Sequence, residues 1–323
     1  MSLAIKVIPT LDSRSVDTTQ FEQVKVYDGM IENEVEKPAP QRCFGGAWYH
    51  KVLSSQDAWL GIEGVITLGE FTPDKDRFDL DGRGRYMDNP SVYMGGKADF
   101  ESDAGLGFNT GYLDSDTSKP LDVYKSPKVA WRPFWRYIYS DALDHEGNVL
   151  RRNFNSWNIS DPKNLQYYYL PGDKIRMSVF SPIKDYMQLR IEVLEVTTIP
   201  KYVAQRKAYH LKDDRPSDFH SPIFHSRGQG ASTQAEFKRV NSIDQYGNEG
   251  KVAQITHAKV SEALWHEVYL YRKINGDLVK VPFTSKRRTT MTCPNPDAFT
   301  VNDEGLDQTL GAERVQIHPI NCK

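Results

Sequence analysis

The stretch that decides the fold reads Lys174-Ile-Arg-Met-Ser-Val-Phe180 and, after a short turn, Tyr186-Met-Gln-Leu-Arg-Ile-Glu-Val-Leu194. In both halves apolar and polar residues alternate, so each segment has one apolar face and one polar face when extended. A helix would spread Ile175, Met177 and Val179 over three directions. The stretch therefore predicts an antiparallel hairpin that packs one face on a core.

Similar patterns occur on both sides of this hairpin. Residues 265–271 alternate, Asn275-Gly276 follows as a hairpin turn, and residues 278–283 return. Aromatic, β-branched and glycine residues indicate further strands, which we place at residues 43–49, 58–62, 65–68, 92–94, 104–108, 237–243 and 252–255. Residues 246–248 and 144–147 are predicted turns, and residues 203–211 are the best candidate for a short helix. These patterns predict an all-β protein, an antiparallel β-sandwich with long loops.

The chain divides into three predicted parts. Residues 1–42 are polar and form an extended N-terminal arm, with one edge strand near residues 23–26. Residues 43–285 form the β-sandwich domain, and residues 286–323 form a C-terminal tail that packs on it. The two polar arms are also suited to exchange between copies in a homo-oligomer.

Charge and hydropathy exclude several classes of protein. Lys and Arg number 41 and Asp and Glu 43, which gives a formal net charge of -2. The short basic run Lys286-Arg287-Arg288 is typical of a solvated strand edge, so we expect no nucleic-acid partner. No apolar run approaches the ~18 residues of a membrane span. The start Met1-Ser2-Leu3 lacks a secretory signal; we expect a secreted or cell-surface protein if these residues replaced a leader, and a cytoplasmic one otherwise.

Three cysteines, Cys43, Cys293 and Cys322, do not make a disulfide framework or a metal knuckle. A bridge between Cys293 and Cys322 and three free thiols are equally compatible with the sequence.

An acidic loop, Asp74-Lys-Asp76-Arg-Phe-Asp79-Leu-Asp81-Gly82-Arg-Gly84, offers oxygen ligands for Ca²⁺. The EF-hand spacing fails, so the hypothesis is a calcium site of another kind, with Asp79 and Asp81 as ligands. The alternative is a solvated loop whose arginines neutralise the aspartates. The sequence indicates no other cofactor.

Asp99, Glu101 and Asp103 share one face of a predicted strand. Crowded carboxylates repel, which raises the pKa of at least one of them and suits acid/base catalysis. Two carboxyl groups ~5–5.5 Å apart are what a retaining glycosidase needs. We therefore take Glu101 and Asp103 as candidate catalytic residues, and a solvated edge as the alternative.

Aromatic residues crowd residues 131–139 and continue to the triple tyrosine at 167–169. Exposed rings stack on sugars, so Trp131, Trp135, Trp157 and Tyr168 are candidate ligand-binding residues for a polysaccharide or glycan. Part of this set must also fill the core. No GxSxG elbow, HExxH helix or phosphate loop occurs, so these catalytic and nucleotide-binding templates are absent.

Taken together, these segments resemble the concanavalin-type jelly-roll sandwich of lectins, glucanases and glutamic peptidases, over residues 43–285. The glucanase Glu-x-Asp-x-Glu strand is matched only by Glu101-Ser-Asp103, because residue 105 is Gly.

The motif order is similar to that of the glutamic peptidases (eqolisins). The similar segments are Ala58-Trp59-Leu60-Gly61-Ile62-Glu63-Gly64, Pro171-Gly172-Asp173-Lys174-Ile175 and Ala235-Glu236-Phe237. This resemblance implies that Glu236 is the catalytic glutamate. That family also uses a catalytic glutamine, and at its position the sequence has Met94.

Because each catalytic template lacks a member, the leading hypothesis from the sequence is a non-catalytic carbohydrate-binding or surface-interaction protein. The alternative is a hydrolase on the same fold, a glycosidase using Glu101 and Asp103 or a peptidase using Glu236. A structural assembly protein is the third.

Overall fold

Two β-sheets lie face to face in the computed structural model, which describes residues 16–82, 84–108, 129–139, 142–143, 149–150, 153–158, 162–230 and 234–319. The larger sheet has eleven strands: β1 Lys25–Val26, β3 Trp59–Thr67, β4 Phe71–Thr72, β11 Lys174–Phe180, β12 Tyr186–Glu195, β13 Phe219–His220, β14 Phe224–His225, β16 Lys259–Ile274, β17 Asp277–Pro282, β19 Phe299–Asn302 and β20 Glu313–Ile317. The predicted all-β sandwich is confirmed.

The smaller sheet has seven strands: β2 Ala47–Ser54, β5 Asp88–Lys97, β6 Glu101–Phe108, β7 Trp131–Tyr139, β10 Asn153–Asn158, β15 Glu236–Gln245 and β18 Arg288–Cys293. Their order across the sheet is β10-β7-β6-β5-β15-β2-β18. A separate two-stranded sheet pairs β8 Ala142–Leu143 with β9 Val149–Leu150. The tip predicted at residues 144–147 lies outside the described residues.

Helical structure is short. The α-helix α1 spans Pro200–Lys207 and begins with proline at its first turn, where no hydrogen bond to the proline nitrogen is needed. The helix starts and ends earlier than the predicted range of residues 203–211. The 3₁₀ turns are Thr19–Phe21, Lys75–Arg77, Pro162–Tyr167, Lys212–Asp214, Pro296–Ala298 and Gln308–Leu310. Within the described residues, no helix has the length and apolar character that crossing a bilayer requires.

The decisive hairpin forms as predicted. β11 and β12 pair antiparallel, and Ile175, Met177 and Val179 are fully buried in the core between the sheets. The Asn275-Gly276 turn is also confirmed, because both residues have the positive φ that this hairpin type needs and β16 pairs with β17 across it.

The strand predicted at residues 252–255 is wrong. After the turn at 246–248 the chain folds back on side-chain amides: Asn248 Nδ2 donates to the Val252 carbonyl, and Gln245 Oε1 accepts from Gln254 N. Val252 and Ile255 are 87% and 64% exposed, so their apolar side chains do not mark a strand that packs on the core.

Both ends of the described chain join the sheets. β1, in the predicted arm, pairs parallel with β17, so the predicted edge strand is present. Near the other end, β18 lies beside β2 at the edge of the smaller sheet, and β20 pairs with β16 in the larger one. The basic run contacts acidic residues of the chain itself: Arg287 pairs with Glu34 and Arg288 with Glu313.

A cluster of charged groups interrupts the apolar core where β20 meets the smaller sheet. Glu313 pairs with Arg239, its Oε2 lies 2.9 Å from His50 Nε2, and its Oε1 accepts from Arg288 at 3.3 Å. The guanidinium of Arg239 also lies 5.0 Å from the ring centre of Trp265. Burial opposes ionisation of Glu313, but Arg239 and His50 outweigh it and hold its pKa well below the ordinary value.

Candidate functional site

The candidate site lies on the outer face of the smaller sheet, the face turned away from the larger sheet. Along β15, Phe237 and Ile243 point into the core between the sheets. The side chains alternate, so Glu236 and Lys238 point outward. In the register of the sheet, Glu236 lies opposite Lys97 and Lys97 opposite Glu101. The Cα atoms of Glu236 and Glu101 are therefore two strand spacings apart, about 10 Å.

One row further along the strands, Lys238 faces Asp103 across Gly95. The three carboxylates predicted as catalytic, Glu101, Asp103 and Glu236, therefore share one face of the sheet. Gly95 leaves the path of the lysine free, because a Cβ there would overlap the carbonyl oxygen of Ser102 and lie 3.2 Å from the Cε of Lys238.

Lys238 joins Glu101 and Asp103 into an ion cluster. Its Nζ contacts Glu101 Oε1 and lies 2.7 Å from Asp103 Oδ1. Asp103 is 1% exposed, and its other oxygen accepts two hydrogen bonds from Arg136, at 2.9 and 2.6 Å. Asp103 and Lys238 are thus buried, whereas the side chains of Glu101 and Arg136 are 41% and 31% exposed.

The electrostatics of this cluster differ from the sequence prediction. Burial favours the neutral form of Asp103, but Lys238 and Arg136 outweigh it and lower the pKa of Asp103. Burial likewise opposes the charge on Lys238, yet Asp103 and Glu101 raise its pKa well above the usual range. The predicted rise in carboxylate pKa assumed uncompensated repulsion. For Asp103 it is wrong, because two cations lie against that carboxylate.

Glu236 has a different environment. It is partly buried, and burial raises the pKa of its carboxyl against the opposing effect of Lys51, Lys238 and Lys97. Its Oε2 accepts a hydrogen bond from Gln41 Nε2 at 3.2 Å. The Oε1 of Gln41 in turn accepts from Lys51 Nζ at 3.3 Å, so the amide has its donor end toward Glu236.

Gln41 is a site residue that no sequence pattern indicates. The resemblance aligned the catalytic glutamine of that family with Met94. Met94 has no solvent-accessible surface, because it lies in the core on the inner face of β5. Gln41 reaches the outer face from the arm, a segment without regular structure between residues 27 and 46. A glutamine in a polar arm carries no sequence pattern that would have marked it.

The arm is held beside the site by a disulfide between Cys43 and Cys293. The pairing of Cys293 with Cys322 and the three free thiols are therefore both wrong: the partner of Cys293 is Cys43. Next to the bridge, the ring of Phe44 stacks on Tyr49 with centres 4.3 Å apart.

The aromatic residues predicted to bind a glycan lie elsewhere. Trp131, Trp135 and Tyr168 are 2%, 8% and 1% exposed and pack inside the protein. Their burial contradicts the predicted stacking surface, because a ring that fills the core cannot meet a ligand from solvent. Trp157 lies in β10 opposite Trp135 in the register, and its side chain is outside the described part of the structure.

The acidic loop uses its candidate calcium ligands within the chain. Asp79 Oδ1 accepts from Gly84 N at 2.5 Å, and Asp81 Oδ2 accepts from Arg85 at 2.7 and 3.0 Å. The described residues contain no group of three or more His, Cys, Asp or Glu side chains arranged to hold a metal ion.

The fold and site thus define an antiparallel β-sandwich with a partly buried carboxyl and an amide paired on the outer face of one sheet. Among solved structures, the chain is similar to scytalidoglutamic peptidase in complex with a peptide-based transition state analog, with 8% identity and a TM-score of 0.44 over 84% of this chain and 98% of that chain.

A second structure of scytalidoglutamic peptidase, with a transition state analog inhibitor, gives 10% identity and a TM-score of 0.44 over 85% and 100% of the two chains. SCP-B, a member of the eqolisin family of peptidases in complex with a tripeptide, gives 9% identity and a TM-score of 0.37 over 84% and 98%. No family model and no curated protein matches the sequence. Identities this low carry no information about individual residues.

Proposed function

We propose that the protein is a hydrolase that cleaves peptide bonds on the outer face of its smaller sheet, with Glu236 as general acid/base and Gln41 as donor to the substrate carbonyl oxygen. The observation that carries this proposal is the Gln41–Glu236 hydrogen bond, made by a carboxyl whose pKa is raised.

Glu236 has the properties of a group that moves protons. A general acid/base works best when its pKa lies near the working pH, because both protonation states are then populated. Burial raises the pKa of Glu236 above its ordinary value, so we expect it to work in mildly acidic solution. Lys51, Lys97 and Lys238 oppose this rise and keep the ionised form accessible.

Gln41 has the properties of an oxyanion donor. Its amide carries two N–H donors and no titratable proton, so it can stabilise developing negative charge without exchanging protons with Glu236. The Lys51 contact favours the amide orientation that presents these donors to the site.

The reaction follows from these two roles. The Glu236 carboxylate removes a proton from a water molecule whose oxygen bonds to the peptide carbonyl carbon, while Gln41 Nε2 donates to the carbonyl oxygen. The protonated Glu236 then gives its proton to the amide nitrogen as the C–N bond breaks. The products are a carboxylic acid and an amine, and Glu236 returns to its starting state.

The glycosidase alternative uses Glu101 and Asp103 and has less support. A retaining glycosidase needs one protonated carboxylic acid and one ionised carboxylate that reaches the sugar as nucleophile. Asp103 has a lowered pKa and is ionised, but it is 1% exposed and its oxygens are bound by Arg136 and Lys238, so it cannot reach a sugar in solution. Its contacts are those of a structural counter-ion.

The test is a panel of casein, quenched fluorescent peptides and polysaccharides assayed from pH 3 to 7. We expect peptide cleavage that falls by about 10²–10⁴-fold in Glu236→Gln, and by a smaller factor in Gln41→Ala. Glu101→Gln is the matched control on the same face and should retain most of the activity.

Polysaccharide cleavage lost in Glu101→Gln would replace this proposal by the glycosidase alternative. Peptide cleavage that is unchanged in Glu236→Gln would remove Glu236 from its assigned role.

A further inference from the structure

Besides the disulfide, the arm that carries Gln41 is held mainly by polar contacts, among them hydrogen bonds from Val35 N to Asp57 Oδ2 and from Phe44 N to the Tyr49 hydroxyl, both at 3.1 Å. Its residues from 32 to 44 are largely exposed, and Val35 and Phe44 are 41% and 45% exposed. Toward its start, Glu34 pairs with Arg287. Further along, Lys37 Nζ donates to Ser285 O at 2.8 Å, and the Pro38 carbonyl accepts from Thr289.

The Glu34–Arg287 pair is bidentate and its side chains are 20% and 18% exposed, so it holds the start of the arm. Closer to Gln41 the hydrogen bonds of Lys37 and Gln41 are exposed and contribute little net free energy, because water offers the same interactions to the separated groups. Each ordered residue also loses conformational entropy, and little apolar burial offsets that loss here. A covalent link two residues beyond Gln41 changes this balance at the position where the site needs it.

We infer that the Cys43–Cys293 disulfide positions Gln41 over Glu236, so that reduction of this bridge frees the arm and disables the site. The inference rests on the proposed function. Cys293 is anchored on β18, where it lies opposite Tyr49 of β2 in the register of the smaller sheet. The bridge therefore ties the arm to a strand that the sheet already holds in place. Next to the bridge, Phe44 stacks on Tyr49 of the neighbouring strand β2.

The chemistry is thiol–disulfide exchange. A thiolate of dithiothreitol attacks one sulfur, forms a mixed disulfide and releases the other sulfur as a thiolate. The second thiol of the reductant then closes its own ring and releases the remaining cysteine. Cys43 and Cys293 gain two electrons and two protons, and the dithiol is oxidised to a cyclic disulfide. Cys43 is exposed and Cys293 is 1% exposed, so the reductant approaches the bridge from the Cys43 side.

The experiment compares kcat/KM of the full chain and of Gln41→Ala, each oxidised and after dithiothreitol, with far-ultraviolet circular dichroism to verify that the sheets remain folded. We expect reduction to lower kcat/KM of the unsubstituted protein by tenfold or more. The kcat/KM of Gln41→Ala should be the same before and after reduction, because the amide that the bridge positions is already absent. The double variant Cys43→Ser/Cys293→Ser should behave like the reduced protein without any reductant.

An equal fall in both proteins would assign the bridge a merely structural role and overturn the inference. So would an unchanged rate, or a rise in rate, which would mean that the arm blocks the site.

A second measurement separates this inference from the proposed function. Amide hydrogen exchange should become at least tenfold faster in residues 34–46 on reduction and stay unchanged in β15. If no substrate is cleaved, the proposed function fails, while this exchange result still decides whether the bridge holds the arm. Unchanged exchange in residues 34–46 would overturn the inference by itself.

Discussion

Glu236 on the outer face and Glu313 between the sheets are both shielded from water, yet their pKa values move in opposite directions. Burial favours the neutral form of each. Glu313 has Arg239, His50 and Arg288 against its two oxygens, and these contacts overcome burial. Glu236 accepts from the neutral amide of Gln41, and the lysines around it do not outweigh burial.

This difference separates structural from chemical use of the same side chain. A carboxylate held by several cations is a fixed anion that links two sheets. A carboxyl with one neutral donor can take up and release a proton. The predictions below test this separation, from the largest expected effect to the smallest.

Replacing each glutamate with glutamine should affect activity in one case and stability in the other. Glu236→Gln should lower peptide cleavage by about 10²–10⁴-fold with little change in Tm. Glu313→Gln should lower the free energy of unfolding by about 3–5 kcal/mol, because Arg239 loses its anion inside the core. Kinetics and urea unfolding on both variants measure the two effects. A similar loss of stability in both variants would contradict the assignment of a chemical role to Glu236 and a structural role to Glu313.

Removing a cation should matter more between the sheets than on the outer face. Arg239→Met leaves Glu313 without its main partner and should cost about 3–5 kcal/mol of unfolding free energy. Arg136→Met is the matched control, and its loss should be smaller, because Asp103 keeps Lys238 and the Arg136 side chain is 31% exposed. The double variant Arg239→Met/Glu313→Met should recover much of the loss, because an apolar pair replaces the ion pair.

Closing the gap between Lys238 and Asp103 should destabilise the outer face. Gly95→Ala places a Cβ against the Ser102 carbonyl and the Lys238 chain. We expect a loss of about 1–3 kcal/mol in unfolding free energy, the usual result of overpacking. Gly107→Ala is the control on β6, because its Cβ would meet only Phe134 at 3.8 Å. Equal losses would mean that the row through Gly95 has no special role.

The two glutamates should give stability opposite dependences on pH. The folded pKa of Glu313 is depressed below its ordinary 4.5, so its contribution is present above that value and is lost as the pH falls through the folded pKa. The folded pKa of Glu236 is raised above 4.5, so the folded state holds a proton that the unfolded state releases, and stability falls as the pH rises through this window. Urea unfolding of the unsubstituted protein and each Gln variant from pH 3 to 8 measures both slopes, and slopes of the same sign would contradict the assignment.

The smallest effect is expected at Lys51. Lys51→Met removes the contact to Gln41 Oε1 and frees the amide to turn. One hydrogen bond of this kind changes kcat/KM by about 2–10-fold. Lys25→Met, on β1 in the larger sheet, is the control. A loss as large as that of Glu236→Gln would mean that Lys51 takes part in the reaction directly.

The fold was accessible from the sequence where backbone pattern and turn chemistry coincide. The alternation of β11 and β12 and the Asn275-Gly276 turn are local signals, and both predict the observed hairpins. The strand predicted at residues 252–255 was wrong because Val252 and Ile255 are apolar without being buried. Trp131 and Trp135 were predicted to bind a ligand at the surface but are buried, since composition does not say which aromatic residues face the core.

The site was accessible only in part. Period 2 put Glu101 and Asp103 on one face, and a motif indicated Glu236. The counter-ions of Asp103 come from β7 and β15, and Gln41 comes from an arm joined to β18 by a bridge. Contacts between segments this distant depend on sheet order, which no local pattern carries.

The Cys43–Cys293 bridge spans a sequence separation of 250 residues, so most of the polypeptide is a covalently closed ring with two free ends. A protease that cuts once in the exposed loop around Gly250 opens this ring without releasing a fragment. On a denaturing gel the nicked protein should migrate as one species without reductant and as two species with it. Oxidised samples that look intact can therefore be cleaved, and purity is best judged after reduction.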